Sequence, residues 1–176
     1  MSESAFWVFV ALIFVLTYIL QSPDLPKPRQ EARKAVRKYQ EVITGKVERV
    51  VDGDTVRIAG KSIRLGFIDT PEMKQKGGVE SKANLEKVCK PGMTARVTIL
   101  SRDSRRNRLN GLVSIGDIDL STYQVKSGWA WVYPNYNKNP ELPILEQKAK
   151  KARVGLWKEK APTAPWIWRK NKKEKR

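Results

Sequence analysis

The chain has 176 residues, 35 Lys and Arg against 18 Asp and Glu, a net charge of +17 and no histidine. The length suits one domain with appendages, and the charge favours a polyanionic partner, nucleic acid or anionic lipid. The missing imidazole excludes Ser-His-Asp hydrolases, His-Cys proteases and histidine-ligated zinc enzymes, while the single cysteine, Cys89, excludes an internal disulfide and a cysteine metal cluster.

The first element in chain order is an apolar run free of charge, Ala5 to Leu20. As a helix it would measure roughly 24 Å, a little short of a bilayer core of about 30 Å. Phe6, Trp7 and Tyr18 near its ends suit an interfacial belt. Residues 1–22 are therefore expected to be an N-terminal transmembrane anchor, with a signal peptide as the alternative. Residues 23–41 follow as a basic, proline-containing linker suited to lipid headgroups. Its charge argues for a cytoplasmic domain by the positive-inside rule. One short anchor gives only one comparison of flanking charges, so the side of the membrane stays open.

From Val42 the pattern turns to short strands. "VVDGDTVRI" and "IRLGFI" flank the turn Ala59 to Ser62 and read as a hairpin. Val79 to Cys89 reads as a helix stopped by Pro91-Gly92, "TARVTIL" as an alternating strand, and "LVSIGDIDL" as a further strand pair. Ser121 is expected to cap a short helix ending at Gly128. Asn139 and Pro140 are expected to open a longer one closed by Gly155. The whole predicts an α+β, mainly β fold: a five-stranded Greek-key barrel of the OB type with about three helices. Trp129 and Trp131 are expected to fill core and rim, and Cys89 to be a small apolar filler. Residues 42–170 form the expected domain and 171–176 a basic tail. The last segment, Lys158 to Arg176, mixes eight basic residues with Trp166 and Trp168. That mixture suits phosphates and base stacking, or equally a packed aromatic face with solvated lysines.

The candidate chemistry lies in two stretches. In "VVDGDTV" an Asp-Gly-Asp turn sets Asp52 and Asp54 at the end of a strand, although Asp-Gly is also an ordinary turn dipeptide. In "RLGFIDTPE" an apolar strand carries Arg64 within it and ends in Asp69 and Glu72. An arginine inside such a strand needs anions around it. One hairpin can bring Asp54, Asp69 and Glu72 together. Carboxylates without histidine suit Ca²⁺ or Mg²⁺. A hard cation, an arginine for the phosphate and a glutamate for water are the parts of phosphodiester hydrolysis.

Together "VVDGDT", "IRLGFIDTPE", "GVES", "SGWAWVY" and "EQKAKKARVGLW" resemble the staphylococcal (micrococcal, thermonuclease) nuclease family from about Val42 to Lys170. The resemblance implies an OB-fold barrel and Ca²⁺-dependent hydrolysis of DNA and RNA that leaves 3′-phosphate ends. By motif position it implies Asp54, Asp69 and the Thr70 carbonyl as metal ligands, with Asp52 behind them. It implies Glu72 for the attacking water and Arg64 for the scissile phosphate. The family's second arginine falls in a segment that departs from its pattern, "SRDSRRNRLNGLV". Arg108 takes that slot, with Asn107 where glycine is usual, and Arg105 and Arg106 remain alternatives that would also bind substrate. Tyr133 and Tyr136 are candidate nucleotide contacts, or barrel-edge packing. The expected protein is thus a monomeric, membrane-tethered nuclease acting on DNA and RNA, with no protein partner inferred. The alternative is a catalytically impaired nucleic-acid-binding module.

Overall fold

The computed structural model describes residues 41–174, which build a mainly β domain with four α-helices. Strand β1 (Val42–Asp52) pairs antiparallel with β2 (Thr55–Ile58), and β2 with β3 (Lys61–Leu65). Strand β5 (Thr94–Asp103) pairs antiparallel with β1 and with β6 (Arg108–Ile115). A parallel β3–β6 pairing then closes β1, β2, β3, β6 and β5 into a ring, consistent with an OB-like barrel. The short strand β4 (Ile68–Asp69) pairs with β8 (Trp131–Val132), and β7 (Ile118–Asp119) extends β6.

Alternation along the strands fills the ring. Val56, Ile58, Ile63, Leu65, Val97 and Val113 are fully or almost fully buried. A slip of one residue would turn this apolar set outward, so the pattern fixes the register. Helix α1 (Gly78–Glu86) brings Leu85 to the same core, and α2 (Leu120–Lys126) brings Leu120 and Val125. Helix α3 (Glu141–Lys151) adds Leu142. A second apolar cluster joins Trp131, Ala149, Leu156, Trp157 and Ala164, with Trp131 and Trp157 edge to face at 5.1 Å. It leads into helix α4 (Pro165–Glu174), which the sequence pattern left as a tail.

Cys89 is fully buried in the main core, and burial pushes its thiol up to about 11. The native protein is therefore expected to resist a thiol-specific reagent at neutral pH and to release one reactive thiol per chain in denaturant. A rise of about two pKa units alone cuts the thiolate fraction roughly a hundredfold. Rapid labelling of the folded chain would contradict this packing.

Two expectations change. Among the described residues the α-helices number four rather than about three, because α4 forms. The single-pass membrane location is corrected as well. No described helix is long and apolar enough to cross a membrane. Helix α3, with 11 residues, is only about 16 Å long. The anchor expected at 1–22 and the basic part of the linker lie outside the described residues.

Candidate active site

The turn between β1 and β2 is built to present Asp54. The Asp54 N–H donates to Asp52 Oδ1 at 3.0 Å, an Asx turn that the Asp-Gly-Asp order permits. Gly53 is required by close approach: a Cβ there would lie 2.1 Å from Ser81 Oγ and 2.8 Å from Thr70 Oγ1. The turn is held from behind by a buried polar network. Gln124 Nε2 donates to the Gly53 carbonyl at 2.7 Å and to the Ser81 carbonyl at 3.0 Å. Asn84 Nδ2 donates to Gln124 Oε1 at 2.7 Å, and Ser81 Oγ to the Trp129 carbonyl at 2.8 Å. Buried amides are stable only when satisfied in this way.

Strand β3 supplies Arg64 opposite Thr55, on the face away from Ile63 and Leu65. Gly66 and Phe67, the latter at φ 69°, then turn the chain so that β4 delivers Asp69 beside Asp54. Arg64 Nη2 lies 2.8 Å from Asp54 Oδ2 and 2.5 Å from Asp69 Oδ1. This answers the demand for anions around a strand arginine. Thr70 is buried, and its N–H donates to Asp54 Oδ2 at 3.1 Å. Thr55 Oγ1 donates to Asp54 Oδ1 at 3.0 Å.

The electrostatics follow from burial. Asp54 is 2 % exposed, and desolvation pushes its carboxyl up to about 7 against the pull of Arg64, with Asp52 and Asp69 adding repulsion. Burial works against the Arg64 charge, but Asp54, Asp69 and Asp52 outweigh it and hold its pKa above the ordinary value. Arg108, at the start of β6, shares the face of Arg64, since Ser62 pairs with Arg108 and Arg64 with Asn110. Burial first, then the neighbouring Arg64 charge, lowers its pKa. Its Nε is buried and has no hydrogen-bond partner among the described residues.

Glu72 follows Thr70-Pro71 and is half-exposed, its N–H donating to Gln75 Oε1 at 3.3 Å. The loop that carries it closes on α1 without spare room. A Cβ on Gly78 would lie 2.1 Å from the Glu72 carbonyl oxygen. Gly78→Ala is therefore expected to displace Glu72, lowering stability by about 1–3 kcal/mol and slowing turnover. Thermal unfolding and a cleavage assay check this; a variant as stable and as active as the parent would contradict it.

The arrangement brings Asp52, Asp54, Arg64, Asp69, Thr70, Glu72 and Arg108 together. Arg105 and Arg106 stand apart, exposed on a 3-10 turn (Ser104–Arg106), with Arg106 3.7 Å from Asp103. Tyr133 lies beside β4, its N–H donating to the Phe67 carbonyl at 2.8 Å. Its ring meets Tyr136 in a stack at 5.2 Å and Trp166 edge to face at 5.6 Å, and Tyr136 is exposed. One participant was not anticipated. Arg169 of α4 places Nη2 2.6 Å from Asp69 Oδ2 and Nη1 2.8 Å from Glu72 Oε1. Arg64 thus spans Asp54 and Asp69, and Arg169 spans Asp69 and Glu72. Among the described residues no group of three or more acidic, cysteine or histidine side chains is arranged to hold a metal ion.

Residues 62–159 match the family model described as "Staphylococcal nuclease homologue". The chain belongs to that family. An "uncharacterized endonuclease" of Escherichia coli O157:H7 is 41 % identical over 135 residues, covering 74 % of this chain and 87 % of that protein. "Protein ParB" of Escherichia coli is 30 % identical over 152 residues, covering 76 % and 83 %. The "Staphylococcal-like nuclease CAN1" of Arabidopsis thaliana is 38 % identical over 111 residues, 63 % of this chain but only 34 % of the plant protein. Within the family, the departure at Asn107 has a local account. Asn107 adopts φ 45° and ψ 48° at the end of the 3-10 turn, the left-handed conformation that asparagine tolerates best after glycine.

Proposed function

We propose that the chain is a nuclease that hydrolyses phosphodiester bonds of DNA and RNA with little sequence specificity, using the domain at residues 42–170. The observation that carries this reading is the placement of Arg64 and Arg108 on one barrel face, with the buried Arg108 Nε left without an acceptor among the described residues. Two like charges beside each other, one with an unsatisfied donor, suit an anion that accepts from both, and a phosphodiester is such an anion.

The donor chemistry fits a hard cation. Asp54, Asp69 and the Thr70 carbonyl offer only oxygen, and the guanidinium of Arg169 already stands on Asp69 and Glu72 as a surrogate positive charge. Ca²⁺ is the proposed ion, with Mg²⁺ a poorer substitute. When bound, it would supply Lewis-acid charge to the phosphoryl oxygen. The remaining roles belong to the chain. Arg64 and Arg108 donate N–H groups to the non-bridging oxygens and hold the phosphate as negative charge grows there. The carboxylate of Glu72, half-exposed at the mouth of the site, accepts the proton of the attacking water. Asp52 holds the turn that presents Asp54. The exposed Arg105 and Arg106 meet backbone phosphates further along the strand, and Tyr133 and Tyr136 offer a stacked platform to a base.

The test is cleavage by the EDTA-treated chain of single-stranded DNA and RNA. Cleavage on adding Ca²⁺, slower with Mg²⁺ and absent with EDTA, with 3′-phosphate products, supports the reading. Nucleic acid that is bound but left intact under every condition would replace it with a binding module.

A further inference from the structure

Helix α4 is fastened over the acidic site at three points. Gln75 Nε2 donates to the Thr163 carbonyl at 2.7 Å just before the helix. Trp166 sets its ring against Tyr133, one of the proposed substrate contacts. Arg169 then reaches both carboxylates, with Nη1 also 3.2 Å from Asp69 Oδ1. Its hydrogen bond to Asp69, reinforced by Glu72, holds its pKa above the ordinary arginine value. The contact is a fork of charge-assisted bonds rather than a casual surface pair.

The position matters because Asp69 cannot serve two cations at once. Its Oδ1 is already shared by Arg64 and Arg169, and its Oδ2 is taken by Arg169. Glu72 Oε1 is held by the same guanidinium, so one oxygen of the group proposed to accept a proton is engaged while α4 is docked. Beyond these contacts and the packing of Trp166 on the second apolar cluster, much of α4 faces solvent. Ile167, Lys170, Lys172 and Lys173 are exposed, and the helix has only 10 residues, too few to persist well in water by itself.

We propose that Arg169 is a tethered competitor for the divalent-cation site, so that α4 must lift from Asp69 and Glu72 before the ion and the scissile phosphate can enter. This rests on the nuclease reading only for the identity of the ion and substrate. The competition itself is a matter of shared carboxylate oxygens. Removing the guanidinium frees Asp69 and Glu72 and so raises cation affinity, and the release of α4 when the cation binds is what distinguishes competition from the loss of a nearby positive charge.

The experiment is isothermal titration calorimetry of the full chain with CaCl₂, comparing the parent with Arg169→Gln, each first shown to unfold cooperatively. The variant is expected to bind Ca²⁺ about tenfold more tightly or better, within the usual span of coupling between exclusive states. In the parent, amide hydrogen exchange across residues 166–174 is expected to speed up when Ca²⁺ is added, a readout that does not depend on the variant's folding. Equal or weaker binding by Arg169→Gln, no binding by either protein, or α4 amides equally or more protected with Ca²⁺ would each overturn the proposal. Cleavage separates the two ideas. A chain that shows the competition but cuts nothing refutes the nuclease reading alone. A chain that cuts with Ca²⁺ but binds it equally with and without Arg169 refutes the competitor alone.

Discussion

Arg64→Ala is expected to reduce the cleavage rate by about 10³-fold or more, the range seen when an arginine that clamps a phosphoryl group is lost. It is also expected to destabilise the fold. Asp54 and Asp69 are 2 % and 1 % exposed, and Arg64 is the cation that lies between them. Removing one partner of a buried ion pair leaves a charge without compensation, a loss on the order of 3 kcal/mol. Arg169 still neutralises Asp69, so the uncompensated group is chiefly Asp54, whose carboxyl is already pushed up by burial. Arg64→Lys separates the two effects. It keeps a positive charge near Asp54 and should recover much of the stability, but it cannot present a planar fork to a phosphate and should stay slow. Turnover and chemical denaturation measured on both variants check this. An Arg64→Ala protein within tenfold of the parent rate would remove Arg64 from the chemistry.

Glu72→Gln is expected to slow cleavage by about 10²–10⁴-fold, the ordinary worth of a positioned general base, with stability changed by less than about 0.5 kcal/mol. The contrast with Arg64 comes from exposure. The Glu72 side chain is 41 % exposed, and the Arg169 guanidinium it meets is itself 37 % exposed. A pair of that kind contributes little to folding. Binding of a nucleic-acid strand should survive the substitution, because Arg64 and Arg108 are untouched. The variant therefore separates chemistry from binding. A large loss of stability with an unchanged rate would show that Glu72 is structural.

The barrel strands and the heart of the acidic cluster were legible because their residues lie close in sequence or on paired strands. Asp54 and Arg64 face each other across one hairpin, and Asp69 follows Arg64 by five residues, so alternation and turn chemistry suffice to place them. Helix ends were less readable. Ser121 was the expected cap of α2, yet Asp119 Oδ1 accepts from the Thr122 N–H at 2.7 Å, while Ser121 Oγ is buried and donates to the Gly66 carbonyl at 2.9 Å. Asp and Ser cap about equally well, and only tertiary packing chooses between them. For α3 the expected Asn139 does accept from the Glu141 N–H at 2.9 Å, although the helix starts one residue later than expected.

Arg169 and Gln124 were out of reach for a different reason. Arg169 lies 100 residues from Asp69, and Gln124 lies 71 from Gly53. Contacts of that kind depend on how a helix docks, which no local pattern encodes. The signals present were faint: a glutamine on the inward face of a short helix, and one arginine in a basic tail beside two tryptophans.

The most direct measurement is a crystal structure of Glu72→Gln soaked with CaCl₂ and bound to a short single-stranded oligonucleotide. The account predicts a phosphate accepting from both Arg64 and Arg108, an ion held by Asp54, Asp69 and the Thr70 carbonyl, and Arg169 withdrawn from Asp69. A phosphate bound elsewhere on the basic surface, with the Arg64–Asp54–Asp69 cluster unchanged and no ion in it, would contradict the account.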